Sequence, residues 1–152
     1  DVHGLAVCGG APHVIYAATP DGVFVSETAG ATWESRSAGL DPLYCRPIAV
    51  HPADPDIAVT VATHGASGFF GKEAARTGAR VLRTADRGRT WQAGLGVPEA
   101  FQPTPGLVAD PEVPGRFFMA TFSGEVYASD DGGAVWRLHA EGLPATFRMI
   151  AA

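Results

Sequence analysis

The sequence has little of what most functional classes require. Cysteine occurs twice in 152 residues, as Cys8 and Cys45, so at most one disulfide is available and the chain is no disulfide-stapled scaffold. Lysine and arginine form no run and the formal charge is −5. Phosphate neutralisation needs grouped cations, so nucleic acid is not the expected partner. No apolar run reaches the roughly 18 residues of a membrane-spanning helix, and no signal peptide is visible. The five histidines, His3, His13, His51, His64 and His139, show no His-x-His spacing, and Cys-x-x-Cys is missing, so no metal centre is expected. A phosphate-cradling glycine loop and a Ser-His-Asp signature are also missing, and no cofactor is expected. No stretch sustains an i, i+3, i+4 apolar pattern beyond about two turns, which argues against a helical fold.

What is present is punctuation: 19 glycines and 12 prolines spread through a chain that is 46% hydrophobic. That mixture suits a single domain of many short strands and tight turns. It also repeats. SETAGATW (26–33), TADRGRTW (84–91) and SDDGGAVW (129–136) share one template, Ser/Thr-x-Asp-x-Gly-x-Thr-Trp. Ser26, Thr84 and Ser129 supply the hydroxyl, Gly30, Gly88 and Gly133 the glycine, and Trp33, Trp91 and Trp136 the tryptophan. Asp86 and Asp131 hold the acid position, which is Thr28 in the first copy.

The flanks repeat with the boxes. Two β-prone runs precede each box (VIYAAT and GVFVS, IAVTVAT and RVLRT, RFFMATF and EVYAS), and a few strand-like residues follow each tryptophan. A further apolar run opens each unit: HGLAV, RPIAV, PGLVA and RMIAA. Each unit thus reads as strands A, B and C, the box turn, and strand D. The tryptophans are 58 and 45 residues apart, and four antiparallel strands per about 45–50 residues is the period of a β-propeller blade. The fold expected is all-β, with blade 1 at about 1–40, blade 2 at about 44–95 and blade 3 at about 103–143, and residues 147–152 as the inner strand of a further blade. The cysteines then fall at opposite ends of neighbouring inner strands, too far apart to bridge, as buried free thiols. Free thiols agree with a reducing compartment, though localisation is left open.

The eight-residue template resembles the Asp-box of the BNR repeat family, which includes sialidases, xyloglucan-hydrolysing propellers, sortilin-type receptors and photosystem assembly factors. HPADPD (51–56) and ADPEVPG (109–115) resemble the Asp-Pro turns of the same repeats. The resemblance implies that the box is the C–D hairpin turn. A short aspartate accepts bonds from following amides, glycine takes a backbone conformation that other residues avoid, and tryptophan packs between sheets. Asp86 and Asp131 therefore read as structural. Thr28, a poorer acceptor, is expected to give a looser first turn.

Strand order places the boxes on one face of a propeller and the B–C and D–A loops on the other, where a ligand is expected. The B–C loop of unit two, HGASGFFGKEAARTGA (64–79), carries His64, Phe69, Phe70, Lys72, Glu73 and Arg76. An aromatic pair beside charges suits a sugar or a partner protein, or covers a neighbouring blade. The D–A loops offer Tyr44, Glu99 and Phe147. Aligning the A strands on Leu5, Ile48, Leu107 and Ile150 puts His3, Arg46, Pro105 and Arg148 at one shared position near the strand start. Arginines and a histidine there favour an anion such as a carboxylate, unless each pairs with an acid of the next blade. FRMI (147–150) and YCRPI (44–48) are similar in part to the aromatic-Arg-Ile-Pro motif of sialidases, without its full order. Among Asp21, Asp41, Glu73, Glu99 and Glu125 no facing pair of the kind glycoside hydrolysis needs is recognisable, so no catalytic acid is assigned.

Two functions fit. One is a sialidase-like or glycoside-hydrolase-like propeller binding a glycan or anionic small ligand at the B–C/D–A face. The other is a non-catalytic scaffold for a partner protein. Three blades and one strand fall short of a closed ring of four to eight. The remaining blades are expected from a longer protein or from a second copy.

Overall fold

The computed structural model describes residues 1–66, 78–98 and 101–144. It contains twelve strands in three four-stranded antiparallel sheets. The first sheet is β1 (Gly4–Val7), β2 (Ile15–Thr19), β3 (Gly22–Ser26) and β4 (Glu34–Ser35). The second is β5 (Tyr44–Val50), β6 (Ile57–Thr63), β7 (Arg80–Ala85) and β8 (Gln92–Ala93). The third is β9 (Pro103–Ala109), β10 (Phe117–Thr121), β11 (Val126–Ser129) and β12 (Arg137–Ala140). Each sheet pairs its strands in chain order, and among the described residues there is no helix. This is the expected all-β architecture. The inner strand expected at 147–152 lies outside the described residues.

The sheets stack face to face, with β5 packed against β1 on one side and β9 on the other. A sheet covered on both faces has no need for alternation, which is why β6 reads IAVTVAT and is buried from Ala58 to Thr63. Strand register makes the three sheets superimposable. Leu5 pairs with Ala17 and Ala17 with Phe24. Ile48 pairs with Thr60 and Thr60 with Leu82 in the second sheet, and Leu107 pairs with Met119 and Met119 with Tyr127 in the third. These rows, with Trp33, Trp91 and Trp136, form the leading face of each sheet. The second sheet lays Ile48, Leu82 and Trp91 against Cys8, Tyr16, Val23 and Val25 of the first. The third lays Leu107, Phe117, Met119 and Trp136 against Val59, Val61 and Val81 of the second.

The repeated turns explain why each box needs its residue types. In the second, Thr84 Oγ1 accepts from the amides of Asp86 (3.2 Å) and Gly88 (2.9 Å) and donates to Asp86 Oδ1 at 2.8 Å. Asp86 in turn accepts from the Thr90 amide (2.8 Å) and hydroxyl (2.6 Å). In the third, Ser129 Oγ accepts from the Gly133 amide at 3.0 Å, and Asp131 Oδ1 accepts from the amides of Ala134 (3.1 Å) and Val135 (2.9 Å). The fourth and fifth residues of every box take positive φ: 53° and 89° at Ala29 and Gly30, 61° and 78° at Arg87 and Gly88, 72° and 85° at Gly132 and Gly133. Two successive positive φ values match the twist of a tight hairpin.

The first turn is not looser at its far end. Thr28 Oγ1 accepts from the Thr32 amide at 2.8 Å and meets the Thr32 hydroxyl at 2.8 Å. Threonine has a single side-chain oxygen, so the cost falls on the near end, where Ser26 and Thr28 hydroxyls stand 3.4 Å apart. Trp33 differs more: it is 41% exposed, against 4% for Trp91 and 1% for Trp136. No sheet of the described residues covers it.

Neighbouring sheets are also joined main chain to main chain. The Trp91 amide donates to the Ala38 carbonyl at 2.9 Å, and the Trp136 amide to the Leu95 carbonyl at 2.8 Å. The next residue in each case is a glycine at positive φ, Gly39 (85°) and Gly96 (84°). A Cβ on Gly39 would stand 2.5 Å from the Trp91 carbonyl oxygen, and one on Gly96 would strike that of Trp136. An arginine reinforces each joint at the fourth box residue: Arg36 donates to the Arg87 carbonyl at 3.0 Å, Arg83 to the Gly132 carbonyl at 3.1 Å. Between the first two sheets Glu27, itself paired with Arg36 at 2.8 Å, reaches Arg87 at 3.7 Å, and Arg87 also pairs with Asp56 of its own sheet at 2.7 Å.

Candidate functional site

Strand order puts the starts of β1, β5 and β9 on the face opposite the box turns. His3, immediately before β1, donates from Nδ1 to the Cys45 carbonyl at 2.7 Å. That bond uses Nδ1, and Nε2 faces the Tyr44 hydroxyl 3.5 Å away. The two rings lie tilted at 47° with centroids 4.9 Å apart, and Asp1 Oδ2 is 3.4 Å from His3 Nε2. The imidazole is therefore held on one nitrogen by backbone, while the other faces a phenol and a carboxylate.

Arg46 does not share His3's position. Cys45 pairs with Ala62 and Ile48 with Thr60, so β5 spends three steps where β6 spends two. Pro47 explains the bulge, because proline has no N–H to give the ladder. The Pro47 carbonyl is still used, accepting from Thr60 Oγ1 at 2.8 Å. The bulge carries the Arg46 carbonyl against Gly4, where a Cβ would stand 2.8 Å from it, and brings Tyr44 and the Cys45 carbonyl to His3 instead. Sequence alignment alone missed this partnership, and Pro47 was the signal for it.

His64 is exposed at the end of β6, its ring against Gly78. Phe69, Phe70, Lys72, Glu73, Arg76, Glu99, Phe147 and Arg148 lie outside the described residues. Of the described acids at this face, Glu125 is engaged locally: its Oε2 accepts from the hydroxyls of Thr121 (3.0 Å) and Ser123 (3.1 Å). Among the described residues no group of three His, Cys, Asp or Glu could hold a metal ion, and no helix is long and apolar enough to cross a membrane. His51 lies just past β5, where its Nδ1 accepts from the amides of Ala53 (3.1 Å) and Asp54 (2.9 Å) and closes the turn.

Both thiols are buried and unpaired with each other. Burial pushes the Cys45 thiol up to about 12, against a smaller opposing effect of a hydrogen bond with Thr60. At the boxes, partial burial works against the carboxylate of Asp86, but the bonds from Thr90, Thr84 and the Arg89 amide overcome it and hold its pKa below the ordinary value. Asp131 is lowered in the same way, burial being outweighed by the Val135 amide, the Ser129 hydroxyl and the Ala134 amide.

No protein-family model matches the chain, and no curated protein does. Solved structures do. The chain is similar to the GH74 xyloglucanase from Xanthomonas campestris, with a TM-score of 0.69 and 26% identity over 90% of this chain and 20% of that one. It is similar to the GH74 enzyme of Niastella koreensis, with a TM-score of 0.69 and 19% identity over 95% of this chain and 22% of that one. It is also similar to YCF48 bound to D1 peptide, with a TM-score of 0.62 and 19% identity over 93% of this chain and 41% of that one. The chain thus spans about a fifth of the GH74 enzymes and two-fifths of YCF48. These likenesses show the fold: the three sheets are part of a β-propeller.

Proposed function

We propose that the chain is an Asp-box propeller segment that binds a glycan or other anionic small ligand at the face formed by the β2–β3, β6–β7 and β10–β11 loops and the starts of the inner strands. Its blades are residues of about 1–40, 44–95 and 103–143, with 147–152 opening another. The observation that carries the reading is the His3–Tyr44 pair at the starts of two neighbouring inner strands, with Arg46 two residues on. A fixed aromatic ring beside an imidazole suits stacking on a sugar, and a nearby guanidinium suits a carboxylate. The likeness to GH74 enzymes supports a glycan as the ligand class. Catalysis is not assigned, because Glu125 is tied to its own loop. An array of neutral and acidic glycans, including xyloglucan oligosaccharides, tests the reading. Tyr44→Ala is expected to weaken binding by about tenfold, one stacking contact, with unchanged circular dichroism. Binding to none of the glycans, or binding that Tyr44→Ala and Arg46→Ala leave intact, rejects it.

A second reading has its own support. The similar YCF48 structure holds a peptide, which fits a non-catalytic scaffold using the same face. Peptide capture lost on Tyr44→Ala, without glycan binding, would favour the scaffold.

A further inference from the structure

We infer that the third sheet carries a second site on the loop face, a corner of Glu125, Tyr127 and Glu141 that takes a primary ammonium group such as a lysine side chain. Register puts the three together. Glu125 and Tyr127 are two residues apart at the start of β11, so their side chains leave the same side of the sheet. That is the leading side, where the Tyr127 ring joins the core between the second and third sheets. Val126 pairs with Ala140, and Glu125 and Glu141 lie one step beyond that pair, facing each other across the two strands. The Leu143 amide donates to the Gly124 carbonyl at 3.1 Å, which keeps the chain beside β11 past Glu141. Gly142 makes the turn with a left-handed backbone, φ 77°, and nothing stands within 4 Å of a Cβ there.

A polar group without a partner sets this corner apart. Tyr127 is 5% exposed, and among the described residues its hydroxyl makes no hydrogen bond. A phenol buried to that degree ordinarily finds one. The hydroxyl is not sealed in the core. Burial first, and then the charges of Glu125 and Glu141, hold its pKa above the ordinary value, so the phenol stands within reach of both carboxylates. Glu141 is exposed and has neither a hydrogen bond nor an ion pair among the described residues. Glu125 gives Oε2 to the hydroxyls of Thr121 (3.0 Å) and Ser123 (3.1 Å), which fixes the carboxylate and leaves Oε1 for a ligand.

Two negative charges and a phenol oxygen select the ligand. Acceptors on three side chains match the three N–H donors of an ammonium. A calcium ion takes about six to eight oxygens, and among the described residues no three His, Cys, Asp or Glu gather to supply them. A guanidinium is a planar fork suited to the edge of one carboxylate, not to acceptors on three sides. The site is opposite in sign to His3 and Arg46 on the same face.

An NMR titration tests this, reading the ring signals of Tyr127 and the carboxyl carbons of Glu125 and Glu141. The probe is Nα-acetyl-lysine methylamide, with its norleucine and Nε-trimethyl counterparts as controls. The lysine compound is expected to shift all three residues saturably, half-way at roughly 1–10 mM, and the norleucine compound to shift none. The trimethyl compound has no N–H to donate and is expected to bind at least about fivefold more weakly. Glu141→Gln removes an exposed, unpartnered charge, so the fold is kept, and affinity is expected to drop about tenfold. Tyr127→Phe keeps the buried ring and is expected to cost about threefold. Glu112→Gln, an exposed acid in the β9–β10 turn on the opposite face, is expected to change nothing. Absence of saturable shifts up to about 50 mM overturns the inference. So does equal binding of the trimethyl compound, a loss at Glu112→Gln as large as at Glu141→Gln, or a response to calcium chloride where the lysine compound gives none.

Discussion

The indole N–H of Trp91 donates to the backbone carbonyl of Arg36, 2.9 Å away on the neighbouring sheet. The same ring atoms of Trp33 and Trp136 bond within their own turns, so of the three tryptophans Trp91 alone ties two sheets through its side chain. Trp91→Phe keeps most of the buried ring and strands the Arg36 carbonyl. A loss of about 1–3 kcal/mol is expected from urea unfolding, whereas Trp33→Phe is expected to cost less than about 0.5 kcal/mol in the monomeric chain.

Gly39 combines a left-handed backbone with a carbonyl where its Cβ would go. Gly39→Ala is therefore expected to destabilise by about 1–3 kcal/mol. Gly142→Ala carries only the conformational part, about 1 kcal/mol. Equal losses at the two positions, by the same unfolding measurement, would contradict the close approach described at Gly39.

Acid should loosen the box turns. The folded-state pKa values of Asp86 and Asp131 lie below their ordinary value, so each carboxylate contributes stability above the unfolded pKa of about 3.9. That contribution is lost as pH falls through the lower folded values. Asp86→Asn removes the titrating group and keeps one acceptor oxygen. The variant is expected to be less stable than the parent at pH 7 by about 1 kcal/mol and to show a shallower fall below about pH 4. Parallel stability–pH curves for the two proteins would count against the bonding described at Asp86.

The thiols should be inert in the folded chain. Cys8 and Cys45 are both fully buried, and the Cys45 thiol, pushed up to about 12, is scarcely ionised near neutral pH. A thiol-specific disulfide reagent at pH 8 is expected to find neither group until denaturant is added, and both afterwards. Rapid labelling of the native protein would refute the burial.

The fold was legible because its module is written three times. The box of Ser/Thr, Gly and Trp fixes a hairpin by bonds that span four residues, so sequence spacing and structure coincide. Leu5, Ile48 and Leu107 align in sequence and also occupy one register position. The candidate site was harder to read because it depends on contacts between repeats. His3 and Tyr44 are 41 residues apart and meet only because Pro47 bulges β5. Thr28 shows a different limit: its loss of an oxygen is visible in the sequence, but Thr32 supplies a hydroxyl that compensates at one end of the turn.

The joint at Gly39 and Gly96 has an evolutionary consequence. Carbonyls and amides make the coupling, and every residue but proline carries both, so the pieces can diverge in side-chain chemistry without losing their fit. Only the glycine and the tryptophan anchor need to be inherited. Modules built to such a standard can be duplicated and recombined, in keeping with a TM-score of 0.69 to two GH74 enzymes over 90% and 95% of this chain at 26% and 19% identity.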